Sequence, residues 1–119
     1  MQLIGRAFIS VAGERVRSEP GAKIDIGGVM RETVIGDIGV DGYAETPKQS
    51  VTECSISVGR GESIAKYRDI ADTTITFECD TGQVYVVRNA WLTEPPVITG
   101  QQGGKVALKF EGPPAEEQL

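Results

Sequence analysis

The stretch TTITFECDTGQVYVVRNAWL, residues 73–92, decides the fold class. Over Thr73–Cys79 apolar and polar residues alternate strictly: Ile75, Phe77 and Cys79 share one face, and Thr74, Thr76 and Glu78 share the other. A period of two is that of a half-buried β-strand. Asp80-Thr81-Gly82-Gln83 then supplies turn chemistry, and Val84–Leu92 is the richest apolar segment of the chain. Strand, turn and strand predict a hairpin whose second member is central in a sheet.

Working outward, the same alternation recurs. Val51–Val58 places Cys54, Ile56 and Val58 on one face and Glu53, Ser55 and Ser57 on the other. Lys105–Phe110 turns Val106, Leu108 and Phe110 inward. Residues 3–11 and 14–19 read as a hairpin around Gly13, Lys23–Ile26 as a short strand ending at Gly27-Gly28, and Val29–Val34 as another. Residues 93–104 hold Pro95-Pro96 and three glycines, so they predict a connection with a short extended piece at Val97-Ile98. Residues 62–72 predict the one helix, with Ile64, Tyr67, Ile70 and Ala71 in an apolar stripe and Ser63 as its N-cap. The expectation is a mainly β domain over residues 1–112: a sandwich or barrel-like sheet of about seven or eight strands with one flanking α-helix and a long projecting loop. Residues 113–119 predict a flexible C-terminal tail.

That loop is IGDIGVDGYAETPKQS, residues 35–50. Loops of this length are uncommon in compact domains and are usually functional or disordered. This one is studded with apolar groups, which a purely disordered loop lacks. It predicts an arm that meets another chain through Ile35, Asp37, Ile38, Val40, Asp41, Tyr43, Glu45 and Pro47.

Composition bounds the function. A chain of 119 residues is one domain, and at this size roughly 65% of the unfolded surface is buried, enough for a core without staples. Fifteen glycines and six prolines punctuate many short strands. The net charge is −5, and the basic residues between Arg15 and Lys23 are diluted by Glu19 and Pro20, so specific nucleic-acid binding is not expected. Cys54 and Cys79 follow the alternation of their strands and read as buried small apolar residues rather than a disulfide. No signal-peptide pattern opens the sequence, and no segment approaches the roughly 20 apolar residues of a membrane helix. A soluble chain without a membrane anchor, made in a cytoplasm, is the expectation.

Catalysis has little to work with. There is no histidine, so the usual general base and every triad built on one are absent. Gly103-Gly104-Lys105 resembles the end of a phosphate-binding loop, but Val106 stands where a hydroxyl is needed. Asp37 and Asp41 flank Gly39 and are more simply turn residues than cation ligands. No enzyme, cofactor or metal is expected.

Taken together, GAKIDIGGVMRETVIGDIGVDGYAETP (21–47), SVGRGESIAKYRDI (57–70), ADTTITFECDTGQVYVVRNAWLTEPP (71–96) and GGKVALKFEG (103–112) occur in an order that resembles the tail tube proteins of Mu-like contractile-tailed bacteriophages. Asn89-Ala90-Trp91 after the hairpin turn is the most specific local element. The resemblance implies a structural virion protein: a subunit of stacked, hexameric rings forming the inner tail tube through which phage DNA passes into the host. It implies contacts with further copies, the tail sheath, baseplate or initiator proteins and a tape-measure protein, and assembly in the bacterial host cytoplasm. An acidic lumen, lined by the polar faces of two hairpins, would let DNA slide without sticking. A tube protein of a phage-derived bacteriocin or secretion device, and a stand-alone β-sandwich binding module, remain the alternatives.

Overall fold

The computed structural model describes residues 1–101 and 104–118; Gly103 of the phosphate-loop comparison and Leu119 of the C-terminal tail lie outside them. The strands in chain order are β1 (Ala7–Val11), β2 (Glu14–Arg15), β3 (Lys23–Asp25), β4 (Gly28–Gly36), β5 (Gly39–Lys48) and β6 (Ser50–Ser57). The short helix α1 (Ala65–Arg68) follows, then β7 (Thr73–Cys79), β8 (Val84–Leu92), β9 (Val97–Thr99), β10 (Lys105–Gly112) and β11 (Glu116–Gln118).

Every strand but β4 and β5 joins one antiparallel sheet in the order β2-β1-β7-β8-β10-β6-β3, with β11 on β8 and β9 on β10. The path is open, ending at β2 and β3, so the sheet is not a closed barrel; it is consistent with a sandwich-like fold. A single bridge between Ser18 and Ile56 carries the chain from one end of the path toward the other.

The residues 73–92 hairpin forms as its alternation dictates. Ile75 opposes Val87, Phe77 opposes Tyr85, and Cys79 N–H closes the turn on the Gln83 carbonyl at 2.8 Å. The register shifts once, between Thr73 and Ile75, because β8 carries an extra residue. Asn89 absorbs it at φ +56, a left-handed conformation that asparagine tolerates better than most residues. Beyond this bulge Ala90 is fully buried, and Trp91 and Leu92 turn to pair with Glu111 and Phe110 of β10. Asn89-Ala90-Trp91 is therefore the point where β8 passes from one half of the sheet to the other.

The core gathers the inward positions: Ile9 and Val11, Cys54 and Ile56, Ile75 and Phe77, Val87, and Val106, Leu108 and Phe110, with Tyr67 from α1. The inward faces expected of β6, β7 and β10 are thus buried, Val58 only in part.

Three local expectations change. The helix spans Ala65–Arg68, not 62–72. Around its ends, Tyr67 N–H donates to the Ile64 carbonyl at 3.0 Å and Ile70 N–H to that of Tyr67 at 3.3 Å. Ser63 does not cap it: Ile64 holds the N-cap position without a side-chain bond. The Glu62 carboxylate instead accepts from Gly59 N–H at 3.1 Å, and Asp69 has already left helical geometry. One apolar stripe is too little to sustain a longer helix. Residues 116–118, expected as tail, form β11 on Val84–Val86. The long loop is replaced by a hairpin.

Candidate assembly interface

Strands β4 and β5 pair only with each other, from Gly28–Lys48 at the base to Gly36–Gly39 at the end. Asp37 and Ile38 make the two-residue turn. Strands of nine and ten residues reach about 30 Å. The chain is accordingly 64 Å long and 27 Å thick, and its radius of gyration is 17.4 Å, where a compact domain of this length has about 13.5 Å.

Residues 35–50 read as a loop because three glycines interrupt them and apolar groups fall on both faces. Two of those glycines serve the hairpin. Gly39 (φ +141) follows the turn, and Gly42 (φ +147) sits at a register shift where Asp41 is the extra residue. Both hold a backbone that side-chain-bearing residues rarely adopt. The Asp41 carboxylate lies against Gly36, within 2.9 Å of where a side chain there would begin.

Pairing sets the faces. Ile35 with Val40, Thr33 with Tyr43, Arg31 with Glu45, and Val29 with Pro47 occupy one side. Met30 with Thr46, Glu32 with Ala44, and Val34 with Gly42 occupy the other. The Arg31 guanidinium rests 5.7 Å from the Tyr43 ring centre. All eight residues expected at the contact lie on this arm: Ile35, Val40, Tyr43, Glu45 and Pro47 share a face, Asp37 and Ile38 form the turn, and Asp41 marks the bulge. Reading from sequence missed Val29, Met30 and Val34, whose exposure makes both faces of the arm apolar. Their place in a strand was visible, but not the absence of a body against which one face packs.

Seven of the fourteen large hydrophobic residues exposed among the described residues belong to the arm, and Ile38 at its turn is 102% exposed. A two-stranded hairpin is marginal in water by itself, and soluble monomers rarely keep such surface bare. Burying a large side chain contributes about 1.5–3 kcal/mol, so a few of these together offset the ~4–15 kcal/mol cost of bringing two chains together.

The base is built to hold the arm in place. Gly27 turns the chain at φ +74, and a side chain there would lie 2.8 Å from the Ser50 nitrogen. Asp25 accepts from Gly27 N–H at 3.0 Å and pairs with Lys48. The Lys48 ammonium, and then the Gly27 N–H, hold its carboxyl below the usual carboxylate range. Buried Ser50 donates toward the Pro113 carbonyl at 2.8 Å and the Gly112 carbonyl at 3.2 Å. Asp25, Gly27, Lys48 and Ser50 were not singled out from sequence; the Asp25-Ile26-Gly27 spacing, suited to an aspartate turn, was the available signal.

No group of three potential metal ligands occurs among the described residues. Both cysteines are free and buried. Burial pushes the Cys54 thiol up to about 11, and burial followed by the neighbouring Asp80 charge raises Cys79. No helix among the described residues is long and apolar enough to cross a membrane.

An open β-sandwich-like sheet that holds out an uncovered apolar arm has the form of a structural subunit. The fold recurs, at 13% identity, in a chain of the anti-feeding prophage tube-terminating cap, with a TM-score of 0.72 and coverage of 100% of this chain and 93% of that one. It recurs also in a chain of the sheath–tube complex of an extracellular contractile injection system in its extended state, with a TM-score of 0.66, 13% identity and coverage of 96% and 88%. Sequence relatives are nearer. The chain is 32% identical over 109 residues to the Mu-like prophage FluMu tail tube protein of Haemophilus influenzae, covering 92% of this chain and 90% of the relative. It is 33% identical over 104 residues to the tail tube protein of Escherichia phage Mu, covering 87% and 85%. The model of the phage tail tube protein family matches residues 1–117, and the chain belongs to that family. It is a structural subunit of a virion tail tube and not an enzyme.

Proposed function

We propose that this chain forms stacked, hexameric rings whose bore is the inner tube of a contractile phage tail, through which DNA passes into the host. The β4–β5 arm carries this reading: both of its faces are apolar, both are exposed, and they become stable only when another subunit covers them. Ile35, Asp37, Ile38, Val40, Asp41, Tyr43, Glu45 and Pro47 form the contact between subunits or rings. Head-to-tail contacts that close by rotation give a ring, and the same arms reaching out of the ring plane give a stack.

The partners follow from the place of such a tube. The tail sheath surrounds it, a baseplate or initiator complex starts it, and a tape-measure protein fills it before DNA does. The chain assembles in the bacterial host cytoplasm, and DNA passes without specific binding. A net charge of −5 suits that passage, because a basic wall would hold phosphates. Identity of 32–33% to the Mu-type tail tube proteins favours a phage tail over a bacteriocin or secretion device.

Negative-stain electron microscopy of the purified chain at rising concentration tests the reading. Rings with six-fold end views and stacked tubes are the expected result. A dispersed monomer at every concentration, with and without an initiating tail complex, overturns it.

A further inference from the structure

An open groove of about 1240 Å³ runs beside β1 and β3. Ile4, Phe8, Ile26 and Tyr85 contribute its apolar surface, and Ile4 and Ile26 are about half exposed, at 56% and 46%. The N-terminal wall is fixed: the Asp80 carboxylate accepts from Gly5 N–H at 3.1 Å and Arg6 N–H at 3.2 Å. Two guanidiniums lie against the Phe8 ring, Arg6 at 5.7 Å and Arg15 at 4.6 Å. Arg15 is also paired with Glu78 at 3.3 Å, whereas Arg6 has no ion pair among the described residues. The acids that line the groove are engaged, Glu19 by Lys105 and Asp25 by Lys48. The groove is thus apolar with one cationic rim, and its complement is a narrow apolar end carrying negative charge.

The end of the arm has that chemistry. Ile35, Ile38 and Val40 are exposed by 73%, 102% and 73%. Asp37 and Asp41 stand among them, and neither has an ion pair among the described residues. Residues 32–47 contain no lysine or arginine. None of the residues from Ile35 to Val40 lines the groove of its own chain.

We propose that the groove receives the arm end of a second copy of this chain, with Ile38 against the apolar surface and Asp37 or Asp41 facing Arg6. The proposal rests on the tube reading and adds where the arm seats. The contact is heterologous: each copy donates an arm and offers a groove, so one contact repeats along an assembly. Apolar burial supplies the attraction, and the charges fix register.

The test places a photo-crosslinking residue at position 38 of the full chain and maps the adducts in assembled tubes by mass spectrometry. Adducts between copies, to peptides containing residues 4–8 or 24–26, are expected. Arg6→Glu alone, or Asp37→Arg with Asp41→Arg, should each raise the concentration needed for assembly about 3–10-fold. Combining all three should restore it to within about twofold. Arg6, Asp37 and Asp41 are exposed, and unchanged monomer circular dichroism confirms that folding is intact. Tubes whose position-38 adducts map to another surface, or an exchange without rescue, overturn the groove and leave the tube reading standing. Failure of the unaltered chain to assemble overturns both.

Discussion

Two hairpins of similar length in this chain have opposite fates. The β7–β8 hairpin and the β4–β5 hairpin each carry one bulge and a tight turn. The first buries Ile75, Phe77, Cys79, Val87 and Ala90 within the sheet core. The second has no buried residue along its length. Backbone pairing is the same in kind, so the difference lies in what covers the side chains. The core hairpin is covered within one molecule; the arm is a strand pair that its own chain leaves uncovered.

The comparison breaks or sharpens by substitution. Phe110, 1% exposed and packed where the two halves of the sheet meet, is the largest lever. Phe110→Ala should cost about 3–5 kcal/mol in urea unfolding, enough to leave the body marginal. A cost below 1 kcal/mol would mean that the body is not held by its core.

A second lever is pH. The Cys54 thiol has its ordinary value near 9 raised to about 11 by burial. Between those values the folded chain holds the proton that the unfolded chain releases, so stability present below pH 9 is lost as pH rises toward 11. The loss is on the order of 2 kcal/mol, and Cys54→Ala should flatten the profile across that window. An unchanged alkaline slope in Cys54→Ala would assign it to another group.

At the junction, Gly27→Ala puts a side chain against the backbone of residues 48–50 at positive φ. It should cost about 1–2 kcal/mol and alter the set of the arm, read as faster amide exchange in residues 48–52. A neutral result would show that the arm is not held by its base. Smallest in the monomer is Ile38→Ser. Unfolding free energy should move by no more than about 0.5 kcal/mol, because the side chain touches nothing to lose. A larger shift would place the arm on its own body.

The same contrast explains what was legible in the sequence. In β6, β7 and β10 one face is core and the other is not, so Cys54, Ile56, Phe77 and Leu108 stand out by alternation. On the arm both faces are exposed, so no alternation marks an inside and an outside, and the glycines that permit its turn and bulge look like breakers. Residues 35–50 read as a projecting loop and not as the paired strands they form. The helix was overread because Ile64, Tyr67 and Ile70 keep helical spacing, although a single turn suffices to drop Tyr67 into the core. The C-terminal strand was missed because Glu116–Gln118 is exposed throughout and held by backbone pairing, with help from Arg88 to Glu116 at 3.3 Å. Strand addition of that kind has no apolar signature. The groove was invisible for a related reason: Arg6 and Phe8, Ile26, and Tyr85 come from three separate segments and converge only in the folded sheet.

The two buried thiols have a consequence of another sort. Thiolate is the form that oxygen and peroxides attack, and burial keeps both sulfurs protonated and out of reach. A chain made under reducing conditions can therefore be carried into air without gaining a crosslink or a sulfenic acid. A particle built from it would keep, in the open, the thiols with which it was made.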